Sequence, residues 1–208
     1  DVAASQWNEF SVACLDLIGQ MSEAAMDAGY NVTVCPPQSY LDPTTSNFSR
    51  SLRWPPVAPW HQDFYYHSRN SYTYLLARYG HAFCLVSVQL YEGWSAANFD
   101  VTQRNVSAAS YLASWAESLF RGWTVDFAQD PDVALQPQRI AVRPEQLIIG
   151  LSNGANPPPA KVLLLWADDL EAAWRALEGA GKPVPRGAMF WNAKNEGRVP
   201  EGSSKQLR

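Results

Sequence analysis

Amide, phenol and indole side chains follow four short apolar segments of this 208-residue chain. The second segment is the most informative, because the apolar run from Phe83 passes directly into Gln89, Tyr91 and Glu92. Aromatic rings stack on sugar rings, and amides hydrogen-bond to hydroxyl groups. The side chains at the four segment ends are Gln38, Gln89, Tyr91, Ser152, Asn153, Trp191 and Asn192. Such a set is typical of a site for a neutral ligand rich in hydroxyl and amide groups, which indicates carbohydrate.

Each of these residues also has a purely structural interpretation. Trp191 fits a core aromatic residue, and Gln38 fits a turn residue. The segment from Phe83 fits an antiparallel edge strand that leads into an exposed turn.

Four predicted units, each a helix followed by a strand, would position these side chains. The units are helix 1–28 with strand 30–41, helix 71–79 with strand 82–92, helix 106–120 with strand 146–152, and helix 160–177 with strand 187–192. Parallel neighbours need such crossover connections, so the order predicts a single α/β domain with a parallel sheet. Four units are half of an eight-stranded barrel, and a half-barrel has two unpaired edges. Either the chain forms a small open sheet, or further strands lie elsewhere.

Other kinds of catalytic site are disfavoured. The string Gly150–Gly154 matches the G-x-S-x-G nucleophile elbow, but prolines 157–159 follow where a helix is required, and every histidine precedes Ser152. The sequence contains neither a metal-ligand spacing nor a G-x-G-x-x-G turn. We therefore expect no metal and no cofactor.

Composition limits the partners and the location. The net charge is −4 without a basic stripe, which argues against nucleic acid. No stretch approaches the roughly 20 apolar residues of a membrane span. Three glycosylation sequons predict a secreted glycoprotein, and they begin at Asn31, Asn47 and Asn105. The three cysteines are Cys14, Cys35 and Cys84, so at least one is a free thiol or pairs outside the chain.

The four predicted strand ends carry motifs that occur together, in the same order, in one family of barrel enzymes. Residues 35–43, Cys-Pro-Pro-Gln-Ser-Tyr-Leu-Asp-Pro, are similar to its Ala-Pro-Gln segment after the fifth strand. Val86–Tyr91 is similar to the V-x-V-Q-F-Y of its sixth strand, Leu147–Leu151 resembles the seventh, and Gly187–Trp191 resembles the eighth. The chain thus resembles glycoside hydrolase family 18, especially the class III chitinases.

The resemblance implies that residues 1–208 form the carboxyl-terminal half of a (β/α)8 TIM barrel. Residues 1–28 would form the helix after strand 4. Strands 5 to 8 would lie at 30–41, 82–92, 146–152 and 187–192.

The resemblance also implies a role for each strand-end residue. Tyr91 would bond the acetamido carbonyl of the substrate and poise it for attack on the anomeric carbon. Trp191 would form the floor beneath the distorted sugar, and Gln38, Gln89 and Glu92 would line the groove. Because the substrate's own N-acetyl group is the nucleophile in this family, hydrolysis of β-1,4-linked N-acetylglucosamine polymers needs one enzymatic acid.

That acid belongs to a D-x-x-D-x-D-x-E string at the end of strand 4, and this chain lacks the string. The acidic segments 126–130 and 168–171 are expected to be solvated faces. One hypothesis is a secreted chitinase-like hydrolase whose strands 1 to 4 and acid come from a removed segment or a companion chain. The second is a non-catalytic glycan-binding or structural extracellular protein. The third is an unrelated secreted α/β protein in which the motif matches are coincidental. An antiparallel pairing of Val86–Tyr91 with its neighbours would favour this third hypothesis.

Overall fold

Helices and short strands alternate along the chain in a computed structural model, which describes residues 9–51, 69–92, 95–152, 163 and 165–191. The helices are α1 (Val12–Asp27), α2 (Thr73–Tyr79), α3 (Ala96–Thr102), α4 (Ala108–Arg121) and α5 (Ala167–Gly179). The strands are β1 (Val32–Val34), β2 (Phe83–Gln89), β3 (Trp123–Val125), β4 (Gln138–Ile140), β5 (Leu147–Ser152) and β6 (Gly187–Trp191). Short 3₁₀ helices cover Gln38–Leu41, Gly80–Ala82, Phe127–Gln129 and Pro144–Gln146. Within the described ranges, no helix has the length and apolar character needed to cross a membrane.

Four strands form one sheet in the order β1-β2-β5-β6, and all three pairings are parallel. This confirms the predicted α/β fold with a parallel sheet. Because β2 lies between two parallel partners, the interpretation of its residues as an antiparallel edge strand is wrong. Neighbours in the sheet follow chain order, so the sheet has no point at which the strand order reverses.

The two faces of this sheet are covered unequally. Strand side chains alternate between the faces, and one face is at most 1% exposed at Val86, Val88, Leu90, Leu147, Ile149 and Leu151. These residues share one core with apolar residues of the helices, including Leu15, Leu75, Leu112, Leu119 and Leu177. On the opposite face Leu85, Ile148 and Met189 are half-buried, and Thr33 and Cys35 are exposed, whereas Phe83, Ser87 and Ser152 are buried. Parallel sheets are normally covered on both faces, and within the described residues the second face is covered only in part.

Serine side chains start three of the helices. Ser11, Ser95 and Ser107 each accept a hydrogen bond from the backbone amide three residues later. Such N-caps satisfy amides that have no partner within the helix. α4 ends at Gly122, whose φ of 77° lies in the left-handed region that glycine adopts without a steric penalty.

Several predicted boundaries differ from the structure. The strand predicted at 30–41 is limited to β1, because Pro36 and Pro37 lack amide hydrogens and the chain then turns into the 3₁₀ helix Gln38–Leu41. The helix predicted at 160–177 starts at Ala167, with residues 160–162 outside the described part. Likewise α1 starts at Val12, and residues 1–8 and 192 lie outside the described part.

Two features between β2 and β5 were not predicted. α3 precedes α4, and an antiparallel hairpin joins β3 to β4. Each hairpin strand has three residues, which is too short to show an alternating pattern in sequence.

Candidate functional site

The carboxyl ends of the four parallel strands meet at one edge of the sheet, the carboxyl edge. Pro37, which follows β1, is bridged to Gln89 at the end of β2. Gln89 is in register with Gly150 of β5, and Ser152 is in register with Trp191 at the end of β6. Among the described residues, the strand ends at Gln89, Ser152 and Trp191 therefore share one edge with the segment that follows β1.

Gln89 and Tyr91 form a short hydrogen-bonded chain at this edge. The Tyr91 hydroxyl donates to Gln89 Oε1 at 3.0 Å, and Gln89 Nε2 donates to the Cys35 carbonyl at 2.7 Å. Burial, together with the nearby Glu92 and Cys35, raises the pKa of Tyr91 to about 12. The phenol thus stays protonated at physiological pH, and it acts as a hydrogen-bonding group rather than as a nucleophile.

Glu92 lies directly after Tyr91 and is partly buried. Burial raises the pKa of its carboxyl above the ordinary value for glutamate, because the charged form is less well solvated there. Its backbone carbonyl accepts a hydrogen bond from the Ser95 amide at 2.9 Å, which ties the residue to the start of α3. Its assignment as a groove residue stays a prediction.

Gln38 reaches the same edge but is 3% exposed. Its Nε2 donates to the Tyr111 hydroxyl at 2.7 Å, and its Oε1 accepts from the Ala97 amide at 3.0 Å. Both ends of the amide are bonded within the protein, so Gln38 joins the loop after β1 to α3 and α4. Its role as a ligand contact stays a prediction, and the contact with Tyr111 was not predicted from sequence.

Trp191 presents an exposed aromatic ring at the carboxyl edge. Its side chain is 56% exposed at the end of β6. Ser152, opposite it in β5, is 3% exposed, so the indole rather than the serine hydroxyl is accessible. An exposed indole provides a flat apolar face for stacking on a sugar ring. Asn153 and Asn192, named with these residues from the sequence, lie outside the described part.

The structure also places the serine and the histidines that the sequence argued against as catalytic or metal-binding residues. Ser152 of the G-x-S-x-G string is buried inside β5. His81 pairs with Glu23 at 3.0 Å, whereas His61 and His67 lie outside the described residues. Among described residues, no group of three or more His, Cys, Asp and Glu side chains is arranged to hold a metal ion.

The acidic segment 126–130, which was expected to be a solvated face, is only partly solvated: Ala128 and Gln129 are exposed, whereas Asp126 and Asp130 are partly buried. Asp126 accepts the Ala128 amide at 3.2 Å, and Asp130 is ion-paired with the buried Arg50 at 2.7 Å. Asp130 retains 15% of its side-chain exposure. The segment therefore has a structural role. Asp168 and Glu171, by contrast, are exposed on α5.

The sequon asparagines and the cysteine thiols are accessible. The sequon residues Asn31, Asn47 and Asn105 are all exposed. The thiols of Cys14, Cys35 and Cys84 are free and exposed.

Comparison with solved structures finds similarity to a family GH18 chitinase from Chromobacterium violaceum, with a TM-score of 0.49 and 17% sequence identity. The match covers 82% of this chain and 42% of that chitinase, so this chain spans less than half of the chitinase's length. No family model matches the sequence, and no curated protein matches it. A GH18 chitinase is thus a distant structural neighbour, at a level of similarity that assigns neither family nor activity.

Proposed function

We propose that this chain is half of a (β/α)8 barrel and forms part of the site of a secreted, chitinase-like glycoside hydrolase. Its substrates would be β-1,4-linked N-acetylglucosamine polymers. The observation that carries the proposal is the arrangement of four parallel strands, in chain order, with Gln89, Tyr91 and Trp191 at one edge. In such barrels the chemistry takes place at the carboxyl ends of the strands.

The open edges and the partly covered face of the sheet support the barrel half. Within the described ranges, β1 pairs only with β2, and β6 pairs only with β5. Four further strands would pair both edges and close the sheet. They would also cover the face that includes Leu85, Ile148 and Met189. These strands belong either to an upstream segment or to a companion chain.

Tyr91 and Trp191 have the chemistry that the substrate requires. The neutral phenol of Tyr91 hydrogen-bonds to the acetamido group after exchanging its present partner, Gln89 Oε1. Trp191 stacks on the sugar ring, and Glu92 lines the groove beside Tyr91. Because the acetamido oxygen attacks the anomeric carbon, no enzymatic carboxylate acts as the nucleophile, and the segment or companion chain that holds the other four strands supplies the general acid.

Exposed asparagines support secretion. All three sequons have their asparagine at the protein surface, as attachment of a glycan requires. We propose that Asn31, Asn47 and Asn105 carry glycans in the secreted protein.

A second candidate function is glycan binding without hydrolysis, in a structural or carbohydrate-binding extracellular protein. The absence of a D-x-x-D-x-D-x-E string favours it. Saturable binding of chitin oligosaccharides by the intact protein, without release of reducing ends, distinguishes this function from the first.

Replacement of Tyr91 by phenylalanine tests the hydrolase. We expect kcat/KM on a chitin oligosaccharide to fall about 10- to 100-fold in the intact protein, which corresponds to one lost hydrogen bond of about 1.5–3 kcal/mol. Tyr30→Phe is the matched control, because Tyr30 is 71% exposed and precedes β1 at the other end of the sheet. Reducing-end release measures both variants. Unchanged hydrolysis after Tyr91→Phe would refute the role of this residue.

A further inference from the structure

Helix α1 has an apolar stripe on its solvent side. Leu17 is 57% exposed and Met21 is 63% exposed. Cys14, Ala24 and Ala28 are exposed as well. These five residues, four within α1 and Ala28 at its C-cap, are the α1 stripe, and they follow each other at steps of three and four residues. This is the spacing of positions that pack against a second helix.

The α1 stripe lies on the side of α1 that faces away from α2. Asp16 of α1 accepts hydrogen bonds from the hydroxyls of Tyr74 and Tyr79 at 2.7 and 2.8 Å. A side chain at Gly19 would meet the Tyr79 ring at 2.2 Å, so the two helices touch there. At about 100° per residue, the α1 stripe is centred about 150° around the helix from Asp16, Gly19 and Glu23.

The α1 stripe also lies beside the open edge of the sheet. α1 precedes β1, α2 precedes β2, and the two helices pack against each other. β1 has no strand on its outer side within the described residues. Any strand added there in parallel needs a crossover of a dozen or more residues, usually a helix. In the helix-strand repeat, the helix that precedes β2 packs beside the helix that precedes β1. By the same repeat, the helix that precedes the added strand would pack on the other side of α1.

We propose that the α1 stripe binds an amphipathic helix from outside residues 1–208, namely the helix that precedes a strand paired with β1. The proposal rests on the barrel half proposed above, and it names the contacting element of the missing half. Leu17 and Met21 supply the large apolar contacts. Ala24 and Ala28 allow close approach of the second helix.

Photo-cross-linking from Cys14 tests the occupant. In the intact full-length protein, Cys35→Ser, Cys84→Ser and replacement of any cysteine outside residues 1–208 leave Cys14 as the attachment point for a benzophenone maleimide, which is added to the unfolded protein before refolding. We expect a cross-link to a segment outside residues 1–208 that has apolar residues three and four apart and leads into an apolar strand. A cross-link to a second copy of residues 1–208, adducts with lipid alone, or cross-links only within residues 1–208 would overturn the inference.

A double variant measures the energetic contribution of the stripe. Leu17→Gln with Met21→Gln is expected to raise the constant for dissociation of the occupying helix about tenfold or more. If the helix belongs to the same polypeptide, the quantity expected to rise is the equilibrium constant for unfolding of the protein. Val106→Gln is the control, because Val106 is 36% exposed outside α1, and we expect a change of about twofold or less. Equal effects of the two substitutions would contradict the inference.

Hydrogen exchange at β1 separates the two proposals. Protection of the outward-facing β1 amides in the intact protein shows that a strand pairs there. If these amides are protected but Cys14 labels no outside helix, the stripe proposal fails while the barrel half stands. If they exchange freely, the barrel half itself fails.

Discussion

Replacement of Arg50 by methionine is expected to lower the free energy of unfolding by about 3–5 kcal/mol. Arg50 is 6% exposed, and its Nε and Nη2 bind both carboxylate oxygens of Asp130 at 2.7 and 3.0 Å. Its Nη1 also donates to the Phe10 carbonyl at 2.8 Å. Methionine fills a similar volume but leaves the Asp130 carboxylate without its cation. Urea denaturation of the intact protein measures the loss.

Two comparisons show that burial is the cause of this effect. Asp132 is also paired with Arg50 but is 73% exposed, so Asp132→Asn is expected to cost about 1 kcal/mol or less. Adding Asp130→Leu to Arg50→Met removes the unpaired charge, and it should recover much of the stability. Equal losses for Arg50→Met and Asp132→Asn would contradict the assignment.

The same ion pair predicts a dependence on pH. Burial raises the pKa of Asp130, but the hydrogen bonds from Arg50 and from the Asp132 amide outweigh it, so the net pKa is lowered. The folded-state pKa therefore lies below the unfolded value of about 3.9. The stabilisation is complete above that value and is lost as the pH falls through the folded pKa. Arg50→Met should be less sensitive to acid than the wild type.

Replacement of Asn70 by alanine is the second large effect, a loss of at least about 3 kcal/mol. Asn70 is fully buried and has a φ of 58°. Its Oδ1 accepts from the Asp42 amide at 2.8 Å, and its Nδ2 donates to the carbonyls of Thr45 and Asn47 at 3.1 and 2.9 Å. Alanine leaves the buried Asp42 amide and the partly buried carbonyls of Thr45 and Asn47 without these partners, and it adds strain of about 1–2 kcal/mol in the left-handed region.

Asn70→Gly separates the two contributions. Glycine loses the same three hydrogen bonds but adopts the left-handed backbone freely, so it should be about 1 kcal/mol less destabilising than alanine. Thermal unfolding of the two variants gives the comparison. An alanine variant as stable as the glycine variant would show that the backbone conformation is unstrained. If neither variant lost stability, Asn70 would not hold the loop that follows β1.

The alternation of helices and strands predicted the parallel α/β architecture, because each helix and strand is specified by a local pattern of residues. Apolar residues at helical spacing and short β-branched runs each specify an element, and parallel pairing follows from the need for crossovers. Side chains at strand ends then meet at one edge, as Gln89 and Trp191 do. For these described residues, order along the chain was sufficient to predict that they share the carboxyl edge.

Long-range partners were not predictable from sequence. Nothing near Gln38 indicates that Tyr111, 73 residues later, accepts its amide hydrogen. Asp130 was expected to be solvated. Its partner Arg50 is 80 residues away in the sequence, so no local pattern indicated the ion pair. The two pairings depend on contacts that form only after the elements pack. The strand predicted at 30–41 was too long for a local reason, because the chain turns into the 3₁₀ helix Gln38–Leu41 directly after Pro37.

A crystal structure of the intact protein with a hexasaccharide of β-1,4-linked N-acetylglucosamine tests the central claim most directly. We predict that a sugar ring stacks on Trp191 and that an acetamido group lies about 3 Å from the Tyr91 hydroxyl oxygen. We also predict that strands from outside residues 1–208 pair with β1 and β6. A saccharide bound away from the carboxyl edge, or edges that stay unpaired in the intact protein, would contradict the proposal.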